Sequence, residues 1–209
     1  LLSNGGMIRR HPMAVTLAIN GALKYFKHDN PSPIDFFFSL DWLGSSGWLE
    51  GANVNGISLI TSVTTPPEIL DRFEDYYHFV GMTGCKTDGE LGAGLTGTDS
   101  AMHLAWRMGA KRIVLVGQDF ACRYGLYHWD EPLSPEIAAD RKFYVAPDIG
   151  GGVTMTDYQL DRNMGLVRAA AMWCREDGVE VVNATEGGIL DWNRKTLASV
   201  YEELEAEHG

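Results

Sequence analysis

Two aspartates and a histidine are the residues of this chain best suited to chemistry. Asp41 and Asp119 each stand directly after an apolar run, and His128 lies between Tyr127 and Trp129 in a polar stretch. A carboxylate or two can hold Mg2+, with phosphate oxygens and waters completing its octahedron. An imidazole titrates near neutrality and can give or take a proton. Asp119 suits either role, metal ligand or catalytic group. Each residue also has a plainer use, since Asp caps helices and turns and His128 equally fits an ordinary packed or surface position. Around them recur short polar groups: Asn4-Gly5, Asn20-Gly21, Gly117-Gln118, and Asn183 with Thr185, Glu186 and Gly187. Glycine lets a ligand approach the backbone, while Asn, Thr and Glu present fixed polar atoms. Turn propensity alone produces similar punctuation.

These groups need elements to hold them, and the clearest are in residues 94–130. Thr98, Asp99 and Ser100 have the oxygens that start helices. Ala101, Leu104, Ala105 and Met108 then repeat at helical spacing, and Gly109 supplies the stop. Residues 112–116 are a short β-branched run, the mark of a strand buried on both faces. Further strands are predicted at 13–19, 34–40, 57–62, 77–82 and 179–182. Helices are predicted at 22–27, from Pro66-Pro67 to 76, at 156–176 and at 192–205. Residues 121–152 lack a regular pattern but are rich in aromatics, which predicts a binding loop or lid at about 121–153. Alternation of strands and helices predicts an α/β fold, a Rossmann-like, doubly wound, mainly parallel sheet with helices on both faces. In a single domain over 1–209, these four polar groups and Asp41 then lie at the carboxyl ends of strands, where such sheets bind ligands.

Composition narrows the partners. The formal net charge of −11 argues against nucleic acid, whose binding is carried by Lys and Arg on phosphates. It equally requires that any phosphate ligand bring a cation or meet a local basic cluster, for which Arg123, Arg141 and Lys142 are candidates. Three cysteines without a C-x-x-C pair suit a reducing, cytoplasmic setting. No apolar run approaches the roughly 20 residues of a membrane span. The chain lacks G-x-x-x-x-G-K-[ST], H-E-x-x-H and G-x-S-x-G. Gly92 to Gly97 match G-x-G-x-x-G, but Lys86 to Glu90 separate them from the preceding strand, against the context a dinucleotide site requires. The helix start after Gly97, with Thr98 and Ser100, remains suited to an anion.

Residues 3–6, 18–22, 35–41, 97–105, 108–119 and 183–188, in that order, resemble the MptE-like domain. That family includes archaeal 6-hydroxymethyl-7,8-dihydropterin pyrophosphokinases and the Maf glycosyltransferases of flagellin. The chain is also similar to bacterial CMP-sialyltransferases, which have Asn-Gly-Pro-Ser where Asn4-Gly5-Gly6-Met7 stands here. The resemblance implies a nucleotide-dependent transferase. In one form Mg-ATP binds along the strand edge, Asp41 and Asp119 hold Mg2+, and the hydroxymethyl oxygen of the pterin, or a similar small alcohol, attacks the β-phosphorus. In the alternative, a CMP-activated nonulosonic acid binds at the same edge and His128 or a loop Tyr assists the acceptor or the leaving phosphate. The short chain favours the first, since Maf proteins carry large flanking regions. A nucleotide-binding module without catalysis is the third reading.

Overall fold

The structure, a computed structural model, describes residues 5–26, 32–40, 47–79, 96–122, 126–128, 131–132 and 135–208. Two compact units are distinguished, Ile8–Met108 and Gly109–Gly209 with Leu1–Met7. The fold is mixed α/β, with a parallel four-stranded sheet flanked by helices.

In the first unit β1 (Leu17–Ile19), β2 (Phe36–Ser39), β3 (Ser58–Ser62) and β4 (Tyr76–Phe79) lie side by side in that order, all parallel. Successive strand residues point to opposite faces. Phe37 and Phe38 are nonetheless both 0% exposed, so the sheet is covered on both sides. Phe38 stacks on Phe79 at 5.5 Å, while Phe37 stacks on Phe73 at 6.2 Å. The single-turn helix α1 (Pro67–Leu70) starts at the proline pair as expected but ends well before residue 76. Tyr76 instead pairs with Leu59, and the chain must be extended to make that pairing. Helix α2 (Gly97–Arg107) lays Ala101 and Leu104 on the Phe38 cluster. Met102 is buried, whereas Met108 is half exposed, so the apolar face is set nearer the helix start than the spacing predicts. The strand expected over 13–19 is confined to Leu17–Ile19, and the helix expected at 22–27 is a 3-10 helix, Asn20–Phe26.

In the second unit β5 (Arg112–Leu115) comes first. A hairpin of β6 (Leu126–His128) and β7 (Glu131–Pro132) follows, then α3 (Pro135–Asp140) and a hairpin of β8 (Phe143–Pro147) and β9 (Val153–Asp157). Helix α4 (Tyr158–Glu176), β10 (Glu180–Asn183) and α5 (Leu197–His208) complete the unit. β5 and β10 pair in parallel, Val114 beside Val182. The pattern read as an unstructured stretch over 121–152 is thus corrected. Its signal was two β-rich runs around Asp148, Gly150, Gly151 and Gly152, a hairpin turn with glycines at positive φ. The last helix begins at Leu197 rather than Trp192. Asn193 O and the Lys195 N–H bond to Asn183 instead, which sets Arg194 in a parallel bridge beside β10 after a left-handed Asn193, φ 30°. Asp157 caps α4 by accepting from Leu160 N at 2.7 Å and takes Arg141 Nη1 at 2.8 Å. None of the described helices is long and apolar enough to cross a membrane.

Phe38→Ala should cost about 3–5 kcal/mol in urea unfolding, since it opens a cavity between sheet and helix. Val145→Thr, at a position 66% exposed, should change stability by less than about 0.5 kcal/mol.

Candidate functional site

The first unit brings Asn20, Gly21, Thr98 and Ser100 to the region where β1 leaves the sheet. Asn20 takes a left-handed conformation, φ 50°, a turn that Asn tolerates better than most residues. Gly97 explains why the helix start lies so close. A Cβ there would stand 2.9 Å from Ile19 Cγ2 and 3.3 Å from Asn20 Nδ2, so only glycine permits the approach. Ser100, one turn further on the same helix face, is fully buried. Asn20 Oδ1 and Ser100 Oγ are both buried without a hydrogen-bond partner. A buried polar atom left unsatisfied costs about 1–3 kcal/mol. Each is therefore an atom where a bound donor or hydroxyl would be favoured.

The start of α2 itself differs from expectation. Its N-cap is Thr96, in a reciprocal capping box with Asp99. Asp99 Oδ1 accepts from Thr96 N at 2.9 Å, Thr96 Oγ1 at 2.8 Å and Ser100 N at 2.9 Å, and Thr96 Oγ1 accepts from Asp99 N at 3.3 Å. The helix therefore supplies its own buried anion, and the N–H groups expected to seat a phosphate at Asp99 and Ser100 are taken. The capping box was readable as Thr-x-x-Asp two residues earlier than the Thr98-Asp99-Ser100 reading placed the helix start.

The second unit gathers Gly117, Gln118 and Asp119 after β5 with Asn183, Thr185, Glu186 and Gly187 after β10. Asn183 and Thr185 are buried and committed to the turn. Asn183 Nδ2 donates to Leu190 O at 2.6 Å, Asn183 Oδ1 accepts from Thr185 N at 3.0 Å, and Thr185 Oγ1 accepts from Gln118 N at 3.0 Å. Glu186, at φ 62°, caps α5 by accepting from Leu197 N at 3.0 Å. These three side chains position backbone. Asp119 is partly buried, with its carbonyl accepting from Ile189 N at 2.9 Å. Gly188, which sequence reasoning passed over, presses on the Asp119 backbone in a left-handed conformation, φ 84°.

Gly5 lies in a 3-10 turn, Gly5–Met7, and the backbone of His128 ends β6. Asn4, Asp41 and Arg123 fall outside the described residues. Among the described residues no three His, Cys, Asp or Glu gather as a metal cage. A hard carboxylate oxygen at a strand end fits Mg2+, which takes one or two protein carboxylates and fills its sphere with phosphate and water. Arg141, a candidate phosphate clamp, is engaged by the buried Asp157. Burial raises the pKa of the Cys122 thiol, with Asp157 adding to the shift and Arg141 opposing it. Cys122 is thereby held as a neutral thiol, in keeping with a packing role.

A family model described as 6-hydroxymethylpterin diphosphokinase MptE-like matches residues 3–125. The chain belongs to the MptE-like family. Like other folds, this one is shared beyond close relatives. Over 99% of its length the chain is similar to a Maf glycosyltransferase from Magnetospirillum magneticum AMB-1, with a TM-score of 0.68 and 17% identity. It spans 33% of that protein's length. No curated protein compared with this MptE-like chain matches it.

Two predictions follow from the α2 start. Thr96→Ala should lower stability by about 0.5–2 kcal/mol in thermal or urea unfolding, by removing one half of the capping box. Burial holds His103 below its ordinary pKa, with Asp99 opposing the shift and Arg107 adding to it. The folded state thus binds the proton less readily than the unfolded chain. The stability from this group is complete above the unfolded value of about 6.5 and declines as pH falls toward the folded pKa. His103→Gln should flatten the fall in melting temperature between about pH 7 and pH 5. An identical slope in both proteins would exclude His103 as the source.

Proposed function

We propose that this MptE-like chain is a nucleotide-dependent transferase, specifically a Mg-ATP-dependent diphosphokinase acting on 6-hydroxymethyl-7,8-dihydropterin or a similar small alcohol. The observation that carries this reading is the pair of buried, unpartnered atoms, Asn20 Oδ1 and Ser100 Oγ, at a strand end in a member of this family. Polar atoms of that kind favour a ligand rich in N–H and O–H groups, which a nucleotide base, a ribose and a pterin all supply.

In this reading Asn20, Gly21, Thr98 and Ser100 are the candidate nucleotide contacts of the first unit, and the backbone groups of Gly117, Gln118 and Gly187 are those of the second. Asn4 and Gly5 complete the set of contacts, and Asn183, Thr185 and Glu186 act by holding the turns. Asp119 and Asp41 are each candidate Mg2+ ligands, and the ion would supply charge neutralisation on the phosphates. The hydroxymethyl oxygen attacks the β-phosphorus, the bond from that phosphorus to the α–β bridging oxygen breaks, and AMP leaves. The alcohol proton passes to a base, for which His128 is the candidate. Catalysis is chiefly positioning and charge stabilisation. In this reading the protein acts on small molecules in the cytoplasm, and its formal charge of −11 disfavours nucleic acid as a partner.

The likeness in fold to the Maf glycosyltransferase favours a second reading, in which a CMP-activated nonulosonic acid occupies the same strand ends. The two readings separate in one experiment. The protein is incubated with Mg-ATP and hydroxymethyldihydropterin, and in parallel with CMP-sialic acid. AMP formed only when pterin is present supports the diphosphokinase; CMP release supports the glycosyltransferase. Neither product, with thermal stabilisation by nucleotide, leaves a binding module. Asp119→Asn should lower turnover by about 100-fold or more while the melting temperature is kept. Unchanged turnover removes Asp119 from the mechanism.

A further inference from the structure

Resting on the reading of Asp119 as a reacting-site carboxylate, we propose that Gly188 is a positioning residue. It fixes Asp119 by direct backbone contact between the turn after β10 and the turn after β5. A Cβ at Gly188 would stand 2.5 Å from Asp119 Cα and 2.6 Å from its carbonyl carbon, and would overlap the carbonyl oxygen. Non-bonded carbons settle at about 3.5–4.0 Å. Any side chain at 188 therefore pushes the Asp119 backbone by about 1 Å or forces the turn open.

The contact is held from several directions. Ile189 N donates to Asp119 O at 2.9 Å, and Ile149 N donates to Gly188 O at 2.9 Å. Arg194 Nη1 donates to Ile149 O at 3.0 Å, which ties the β8–β9 turn to the same assembly. On the other side of Asp119, Thr156 Oγ1 donates to Phe120 O at 2.8 Å, and Cys122 N donates to Met155 O at 2.7 Å. Asp119 stands between two left-handed residues, Gly117 at φ 72° and Phe120 at φ 48°. That conformation is rare for an aromatic residue and persists only where the surroundings impose it. The clamp of which Gly188 is the centre is what imposes it. A misplacement of about 1 Å at a reacting group costs on the order of 100-fold in rate.

A control for backbone strain exists in the same unit. Gly178 has φ 79°, close to that of Gly188, but a Cβ there meets nothing within 4 Å. Gly178→Ala thus carries the conformational cost without the collision. The test compares Gly188→Ala, Gly178→Ala, Asp119→Asn and the double variant Gly188→Ala/Asp119→Asn in the full chain. Turnover is read as AMP or CMP release, Mn2+ binding by electron paramagnetic resonance, and folding by thermal melting.

Both alanine variants should melt below the wild type. Gly188→Ala alone should lose about 100-fold in turnover and lose Asp119-dependent Mn2+ binding, and the double variant should be no slower than Asp119→Asn. Turnover of Gly188→Ala equal to that of Gly178→Ala, or a loss that multiplies with that of Asp119→Asn, overturns the proposal. If the wild type turns over neither substrate pair, Mn2+ binding decides. Binding lost in Asp119→Asn and in Gly188→Ala supports it, and binding lost only in Asp119→Asn overturns the positioning role. Binding unchanged in Asp119→Asn overturns the reading of Asp119 and the positioning role together. Should Gly188→Ala fail to fold, Thr185→Val removes the hydroxyl that holds Gln118 N and should shift the same readouts in the same direction.

Discussion

Where a buried parallel strand ends, the backbone must leave the sheet with its N–H and C=O groups still satisfied. The strands here are short, three to five residues in the two parallel sheets, so their ends make up much of each sheet. The turn after β10 answers this demand with side chains that bond main chain: Asn183 to Leu190 and Thr185, and Thr185 to Gln118. The turn after β1 answers it with a left-handed Asn20 and a helix that starts with its own carboxylate. Everything of functional interest sits on these turns. The strands they end lie in buried surroundings: β1 pairs with the buried Phe37 and Phe38 of β2, and β10 carries the buried Val181 and Val182.

The same demand divides the polar residues at strand ends into two kinds. Asn183, Thr185, Glu186 and Asp99 spend their hydrogen-bonding capacity on backbone and so act on a ligand only through what they hold. Asn20 and Ser100 keep a buried oxygen unspent. Electrostatics points the same way. The chain carries a formal charge of −11, and Arg112, Arg141 and Lys195 are engaged with Glu180, Asp157 and Glu203. In the proposed reading, recognition of a phosphate ligand would lean on backbone groups, neutral side chains and a bound cation rather than on these cations.

The alternation of apolar runs with helical spacing was enough to read the parallel α/β class, and the apolar run at 34–40 marked a strand. The placement of polar groups after β1, β5 and β10 was equally plain. What escaped was whatever depends on a partner distant in sequence. The bridge of Arg194 to Asn183 replaces the first turn of the expected helix, and local helix propensity at Trp192 gave no hint of that. The β8–β9 hairpin hid behind its polar composition, since Thr154 and Thr156 are buried to bond Cys122 and Phe120 rather than exposed. Gly188 looked like one more turn residue, because its contact with Asp119 spans most of the second unit. Asn20 and Ser100 were singled out, but that their oxygens lack partners is a fact of packing.

The central claim is that these unspent oxygens belong to a nucleotide site. The most direct measurement is an NMR titration of the isotope-labelled chain with Mg-ATP and, separately, with CMP. The side-chain amide of Asn20 and the backbone amide of Ser100 should shift saturably with one of the two, while the amides of exposed α5 stay in place. Saturable binding that leaves Asn20 and Ser100 unmoved and shifts residues elsewhere would contradict the account.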